Sequence, residues 1–220
     1  MRDPRLDKLA DVLVRYSTRI KPGDVVSIVS EPVGMPLIAA VYEAVVRAGG
    51  HPYWWPRSET LDELKLSLGS DEQLKFVNPI QLYQVEKIDV HIGFWAEMNT
   101  KSLSRIDPKR VATVQSARKP ISKRFLERAA MEMEGKPGGL RWCGTQFPTQ
   151  ASAQDAEMSL AQYEDFVFRA GLLHLPDPVA AWQQIHTRQK RVCDYLQTKH
   201  ELRFVVPPHN GNDGTNLVVN

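Results

Sequence analysis

The chain has 220 residues, of which 42% are hydrophobic and 25% are charged, and its formal net charge is +2. This composition is typical of a globular protein with one large domain or two small ones. The weak net charge argues against a nucleic-acid partner, because the most basic stretches, 119–128 and 188–191, lie on predicted helix faces among acids.

Several features predict a cytoplasmic protein without a membrane partner. No stretch approaches the roughly 18–20 apolar residues that are needed to cross a bilayer. Residues 1–4 lead directly into an amphipathic helix, with no apolar signal region before it. The two cysteines, Cys143 and Cys193, lack metal-ligand spacing and are interpreted as free intracellular thiols.

The first half of the chain alternates predicted helices and strands. In chain order these are a helix over 4–20, a strand over 25–29, a helix over 36–48, a strand over 51–55, short helices within 58–87 and a strand over 88–95. The run 25–29 is nearly continuously apolar, which is typical of a buried parallel strand. Pro52 places the second strand near an edge of the sheet. The first two strands and the helix between them form a βαβ unit with a right-handed crossover.

The second half of the chain is mostly helical by prediction. In chain order it contains a polar loop over 97–104, helices over 107–117 and 121–133, a strand near 140–143, two helices within 149–171, a helix over 178–199, and strands over 202–206 and 215–219. Loop 97–104 leaves the carboxyl end of its strand, where ligands bind in open α/β sheets. The last two strands flank the turn-rich segment PPHNGNDG and predict a hairpin. The helix over 178–199 is predicted to bury a seam formed by Trp182, Ile185, Gln189, Val192 and Leu196.

Capping residues and a glycine predict where the two helices within 149–171 begin and end. Thr149 or Ser152 caps the first helix, and Ser159 begins the second. Gly171 is the predicted stop of the second helix.

Two adjacent tryptophans, Trp54 and Trp55, lie in the second predicted strand. Neighbouring strand residues face opposite sides of a sheet, so the two rings cannot both enter the core. One ring is predicted to pack in the core, and the other is a candidate partner-facing aromatic at an interface or pocket.

The sequence contains no recognisable catalytic or metal-binding motif. Its histidines are His51, His91, His174, His186, His200 and His209. They form neither a HEXXH arrangement nor an i, i+4 pair. His91 is interpreted as a structural residue of its strand, with a position in a site at the sheet edge as the alternative. Neighbouring acids such as Asp155 and Glu157 diverge on helix surfaces, and there is no G-x-S-x-G nucleophile elbow.

The first predicted strand-to-helix loop, residues 30–36, is where an α/β domain of this kind would bind a nucleotide. The dinucleotide fingerprint needs three glycines, whereas this loop holds only Gly34. Glu31 would also repel a pyrophosphate. A nucleotide- or flavin-binding oxidoreductase domain is therefore the weakest of the hypotheses for this chain.

Three segments resemble the M29 metallo-aminopeptidases. They are LADVLVRYSTRIKPGDVVSI and the run VYEAVVRAGGHPYWW near the start, and FPTQASAQDAEMSLAQYEDFVFRAG in the second half. Together with the element order, the resemblance implies an α/β fold with a Rossmann-like, three-layer, mostly parallel sheet over residues 1–200. Residues 201–220 then form the start of a truncated C-terminal catalytic domain, as a β hairpin that leads toward its missing remainder.

Members of that family are cytoplasmic enzymes that release N-terminal amino acids from peptides. The resemblance implies two divalent metals, zinc, cobalt or manganese, which are held by glutamates, histidines and an aspartate of the C-terminal domain. No catalytic or metal residue is therefore expected within 1–220, and the isolated chain is expected to be inactive. The resemblance also implies a peptide substrate and a homodimer.

The loop formed by Phe147, Pro148, Thr149 and Gln150 is the candidate interface to the catalytic domain, with ordinary loop packing as the alternative. The rival to the aminopeptidase hypothesis is a standalone, non-catalytic α/β domain. Such a domain would oligomerise or bind a small ligand at the carboxyl edge of the sheet.

Overall fold

A parallel sheet of four strands organises the first part of the chain in the computed structural model, which describes residues 2–220. The strands are β1 (Val25–Ser30), β2 (His51–Pro56), β3 (Val90–Trp95) and β4 (Arg141–Gln146). Their order is β2-β1-β3-β4, and every neighbouring pair is parallel. Val26, Ile28 and Ile92 are fully buried, as expected for central strands covered on both faces. The α/β prediction is confirmed, and so is the edge position of β2.

Helices connect the strands and cover the sheet. They are α1 (Pro4–Asp11), α2 (Met35–Arg47), α3 (Glu59–Leu68), α4 (Asp71–Lys75), α5 (Pro79–Lys87), α6 (Pro108–Ala117), α7 (Lys119–Met133), α8 (Gln150–Asp155) and α9 (Leu160–Ala170). A further helix, α10 (Pro178–Leu196), follows them in the chain. The chain leaves β1 toward β2 and later crosses to β3 on the other side of β1. Because parallel crossovers are right-handed, these two connections lie on opposite faces of the sheet. α1 packs against α2, and α5 packs against α7.

The first helix differs from its prediction as a single α-helix over 4–20. After α1 the backbone continues as a π-helix over Val12–Ser17. The amide and the hydroxyl of Thr18 both donate to the carbonyl of Leu13, at 3.0 Å and 2.7 Å. Two donors on one carbonyl five residues earlier favour this wider turn, which periodicity alone does not reveal.

The predicted helix caps are largely confirmed. Thr149, rather than Ser152, caps α8, since its hydroxyl accepts from the amide of Ser152 at 3.2 Å. Ser159 forms a capping box at the start of α9. Gly171 ends α9, but its φ is −75°, and the left-handed residue is Leu172 with a φ of 63°.

Residues 180–220 form a second compact unit, which contains most of α10 and a hairpin. Its strands are β5 (Leu202–Val206) and β6 (Thr215–Val219), which pair antiparallel as predicted. The predicted buried seam of α10 is wrong: Gln189 is exposed, and the side chains of Val192 and Leu196 are 57% and 39% exposed. The periodicity identifies an apolar face, but a two-stranded hairpin supplies too little surface to cover one. The predicted boundary between residues 200 and 201 stays a prediction.

A buried ion pair closes the amino edge of the sheet. Nη2 of Arg141, at the start of β4, lies 2.7 Å from Oδ1 of Asp24, and the two side chains are 9% and 11% exposed. Nη1 of Arg141 also donates to the carbonyls of Thr18 and Arg19, at 3.1 Å and 2.7 Å. One guanidinium thereby fastens the turn before β1 to the start of β4.

We expect Arg141→Met to destabilise the chain by about 3–5 kcal/mol, because it leaves the charge of Asp24 buried without its guanidinium partner. Urea unfolding measures the change. Arg47→Met, which removes an exposed pair with Glu43, is the control and should cost under about 1 kcal/mol. A second substitution, Asp24→Asn, should recover part of the loss. Equal destabilisation by Arg141→Met and Arg47→Met would contradict the role of Arg141.

Candidate functional site

The strand order defines a switch point at the carboxyl edge of the sheet. The first crossover carries the chain from β1 to β2, and the next carries it to β3 on the opposite side. The switch point therefore lies between the ends of β1 and β3, which is where open α/β sheets bind ligands. Ser30 is the last residue of β1 and Glu31 follows it, and Ala96 and Glu97 follow β3.

Glu31 is the most unusual side chain at this edge. The residue is only 4% exposed. Its Oε1 lies 3.5 Å from Nε of Arg57, whereas its Oε2 is buried and has no hydrogen-bond partner among residues 2–220. The hydroxyl of neighbouring Ser30 is also buried, and it has no hydrogen-bond partner within the described part of the chain. Such groups are rare in folded proteins, because each retains much of its desolvation cost.

The backbone around Ser30 is, in contrast, well bonded. Its carbonyl accepts from the amide of Arg57 at 3.0 Å and from the indole of Trp54 at 3.2 Å. A Cβ at Gly34 would lie 2.9 Å from the Ser30 hydroxyl and 3.1 Å from the ring of Phe94, so the first loop requires glycine there. The unpartnered oxygens therefore lie in a tightly packed part of the edge.

Glu59, in the first turn of α3, adds a second carboxylate. It accepts from the amides of Met98 and Asn99, both at 3.1 Å, and so holds the loop that follows β3. Burial is the largest cause that raises the pKa of Glu59 above its ordinary value. The two amide bonds oppose the rise, and the charges of Glu31 and Glu97 add to it. The charges of Glu31 and Glu97 thus act on Glu59, while Arg57 pairs with Glu31.

A shallow cavity of about 420 Å³ lies beside the end of β4. Its lining includes Glu97, Thr100, Gln146, Ser152, Asp155 and Tyr163. The Gln146 amide and the Thr149 hydroxyl both donate to the hydroxyl of Ser152 at 3.1 Å. Glu97 borders this cavity and also influences Glu59, so the acidic character continues along the edge.

The loop of Phe147, Pro148, Thr149 and Gln150 is bonded to the end of β3 and is partly buried. The Phe147 amide donates to the carbonyl of Trp95 at 2.8 Å. Pro148 and Thr149 are buried, and Gln150 is exposed. Its proposed contact with a catalytic domain stays a prediction.

The tryptophan prediction needs a correction. Trp54 and Trp55 are both half-buried, so neither ring packs wholly in the core. The reason is that β2 is an edge strand of the sheet, and no strand from residues 2–220 pairs with its outer side. A partner for either ring stays a prediction.

His91 is a structural residue, as interpreted from the sequence. Its ring contacts the ring of Phe125 edge to face, with centroids 5.4 Å apart. Burial lowers the pKa of His91 to about 4. The imidazole is therefore neutral at pH 7, without a charged partner that would indicate catalysis.

The described residues do not form a metal centre. Among residues 2–220, no three His, Cys, Asp or Glu side chains are arranged to hold a metal ion. The cysteines, Cys143 and Cys193, are free thiols, as predicted. Within the same residues, no helix combines the length and apolar character needed to cross a membrane.

The chain belongs to the M29 peptidase family: residues 2–220 match the family described as thermophilic metalloprotease (M29). It is 24% identical over 213 residues to aminopeptidase 2 of Geobacillus stearothermophilus, covering 92% of this chain and 50% of that protein. The solved structure of wild-type AmpT from Thermus thermophilus superposes with a TM-score of 0.76 at 21% identity, covering 98% of this chain and 53% of that one. The family resemblance and the fold are confirmed, and the chain spans about half the length of these relatives.

Sequence reasoning missed Glu31 and Glu59 as members of a candidate site. In the sequence, Glu31 stands out only as a group that would repel a pyrophosphate. The available signal was its position, since a glutamate directly after a continuously apolar strand lies at the carboxyl edge of the sheet. Glu59 had no such signal, because its bonds to Met98 and Asn99 span about 40 residues of sequence.

The lowered pKa of His91 predicts that stability falls as the pH is lowered from 6.5 to 4. In that window the unfolded chain binds a proton on this imidazole and the folded chain does not, so protonation favours unfolding. We expect a loss of about 2–3 kcal/mol relative to a His91→Gln variant, measured by urea unfolding at several pH values. Parallel pH profiles for the two proteins would contradict the assignment.

Glu59→Ala should release the loop after β3, because the amides of Met98 and Asn99 lose their carboxylate acceptor. We expect those two amides to exchange with solvent at least about tenfold faster, which corresponds to roughly 1.4 kcal/mol of local stability. Hydrogen exchange followed by NMR measures this. Glu63→Ala, an exposed position on the same helix, is the control and should leave both rates unchanged.

Proposed function

We propose that this chain is the N-terminal α/β part of a metal-dependent aminopeptidase, an enzyme that releases N-terminal amino acids from peptides. The observation that carries the proposal is the match to the M29 family across residues 2–220. The name of the Geobacillus stearothermophilus relative supports an aminopeptidase rather than another peptidase. That relative is about twice as long as the aligned region, which leaves room for a second domain.

In this proposal the peptide-cleaving chemistry belongs to residues beyond Asn220. Divalent metals of an M29 enzyme, zinc, cobalt or manganese, would polarise the scissile carbonyl and supply a hydroxide nucleophile there. The residues present do not fit such a centre, because no suitable group of three ligands exists within 2–220. No step of hydrolysis is therefore assigned to them, and the isolated chain is proposed to be inactive.

The remaining parts of the proposal concern partners and location. The parent enzyme acts on peptides in the cytoplasm as a homodimer, without nucleic acid or membrane. The weak net charge of +2 supports the absence of a nucleic-acid partner. The half-buried Trp54 and Trp55 on edge strand β2 are candidates for a protein interface. Residues 147–150 are proposed to contact the catalytic domain.

Hydrolysis of leucyl-p-nitroanilide with added zinc, cobalt or manganese tests the proposal. We expect no turnover by the 220-residue chain and no stoichiometric metal in elemental analysis, whereas the Geobacillus stearothermophilus aminopeptidase 2 provides the positive control. Turnover with bound metal would contradict the assignment of the chemistry to residues beyond Asn220.

A second arm separates the parent enzyme from a standalone binding domain. If the coding sequence continues past Asn220, its full product is expected to hydrolyse the same substrate. An in-frame stop at that point, with no activity, would favour the non-catalytic α/β domain that oligomerises or binds a small ligand.

A further inference from the structure

The two outer strands of the parallel sheet differ in the backbone groups that they turn outward. At β2 the amides of His51 and Arg57 donate inward, to the residue before β1 and to its last residue, at 2.8 Å and 3.0 Å. Because the backbone groups of a strand alternate between its two sides, the outward-facing residues of β2 are Pro52, Trp54 and Pro56. Two of these three are prolines, which have no N–H to donate. The edge of β2 therefore carries a usual protection of natural sheets against pairing with another strand.

The opposite outer strand, β4, has no proline. The amides of Arg141 and Phe147 donate inward, to the residue before β3 and to its last residue, at 3.1 Å and 2.8 Å. The outward-facing residues of β4 are therefore Trp142, Gly144 and Gln146, and each of them carries an N–H. Within residues 2–220, β3 is the only strand that pairs with β4, and none of these three backbone amides has a hydrogen-bond partner.

The outer side of β4 is also open to approach. Gly144 is exposed, and because glycine has no side chain, this exposure belongs to its backbone. The groups nearest to a Cβ at Gly144 are the ring of Trp95, at 3.2 Å, and the carbonyl of Gly93, at 3.9 Å, which both belong to β3. The carbonyl of Gly144 accepts from the thiol of Cys143 at 3.7 Å, which is a weak bond. Trp142 is 53% exposed and adds apolar surface beside the glycine.

No charged side chain protects this strand. Natural sheets often place lysines or other charges on an open edge, where they oppose pairing with another chain. From Trp142 to Gln146 the sequence has no charged residue, and the guanidinium of Arg141 is buried against Asp24. An edge strand without charges or prolines is a template for the addition of a further strand.

We propose that β4 forms the interface of a homodimer, in which it pairs antiparallel with β4 of a second copy about a two-fold axis at Gly144. In that register Trp142 of each chain lies opposite Gln146 of the partner subunit, and the N–H and C=O groups of all three outward residues are paired. The second copy fits because the outward residues are spaced evenly about a central glycine, so that the strand is complementary to itself and opposes no like charges. The proposal rests on the homodimer proposed above and specifies its contact surface.

Hydrogen exchange of the ¹⁵N-labelled 220-residue chain, followed by NMR over a series of protein concentrations, tests the interface. Sedimentation equilibrium on the same samples gives the fraction of dimer. We expect the amides of Trp142 and Gly144 to exchange at least about tenfold more slowly in the dimer than in the dilute monomer. The amides of Cys143 and Thr145, which face β3, should change little, and that of Trp54 on β2 is the control for an outward position.

Trp142→Lys places a charge on the open edge and should weaken dimerisation at least about tenfold. Phe76→Lys is the matched control, since Phe76 is an exposed aromatic residue outside the sheet, and it should leave the dimer unchanged. Circular dichroism checks that both variants fold. Unchanged dimerisation in a folded Trp142→Lys variant would contradict the interface.

A cross-link provides a second measurement that does not disrupt the edge. In the proposed register Thr145 lies opposite Cys143 of the partner subunit in a non-hydrogen-bonded pair, whose Cα atoms are about 4.5 Å apart, within the range of a disulfide. Thr145→Cys combined with Cys193→Ser should therefore give a covalent dimer on oxidation with diamide. Adding Cys143→Ser should abolish the cross-link.

Three results would overturn the proposal. They are a monomer at every concentration, a dimer whose Trp142 and Gly144 amides stay unprotected, and protection of these amides at every dilution, which would indicate that the same chain covers β4. A dimer without protection at β4 would refute this interface and leave the homodimer itself standing. Because none of these measurements involves hydrolysis, their failure would leave the aminopeptidase proposal intact.

Discussion

The buried pair of Arg141 and Asp24 is the constraint on which the first unit depends. A parallel sheet has no hairpins to fix its strands, so contacts between distant segments must hold the strand ends together. Arg141 joins β4 to the turn before β1, across more than a hundred residues of sequence. Its hydrogen bonds end on matching acceptors, in Asp24 and in the carbonyls of Thr18 and Arg19. The buried charge of Arg141 at the amino edge of the sheet is therefore both paired and hydrogen-bonded.

A second buried arginine serves the same edge in a different way. Arg128 donates to the carbonyls of Val85 and Ile88, at 2.6 Å and 2.8 Å, and to that of Gly138 at 2.7 Å. These bonds join α7 to the end of α5 and to the turn before β4. Burial lowers the pKa of Arg128, yet the carbonyl oxygens satisfy its donors. The buried charges at the amino edge therefore have hydrogen-bond partners and stabilise the fold. The carboxyl edge differs, because one oxygen of Glu31 has no partner among the described residues.

Short-range sequence patterns predict most helices and strands of this fold. The features that these patterns do not predict depend on contacts made only in the folded chain. The apolar run of β1, Pro52 on the edge strand and the cap at Ser159 all have short-range causes, and the structure bears them out. The π-helix depends on Thr18 bonding backward to Leu13, and the exposure of Val192 depends on how much chain surrounds α10. Neither property is encoded in a period of 3.6 residues.

The same distinction explains why the candidate site was not visible in the sequence. Glu31 becomes significant only because folding buries it and brings Glu59 and Glu97 near, from positions 28 and 66 residues further along the chain. The cost of its unpaired oxygen is local, and no donor among residues 2–220 offsets it.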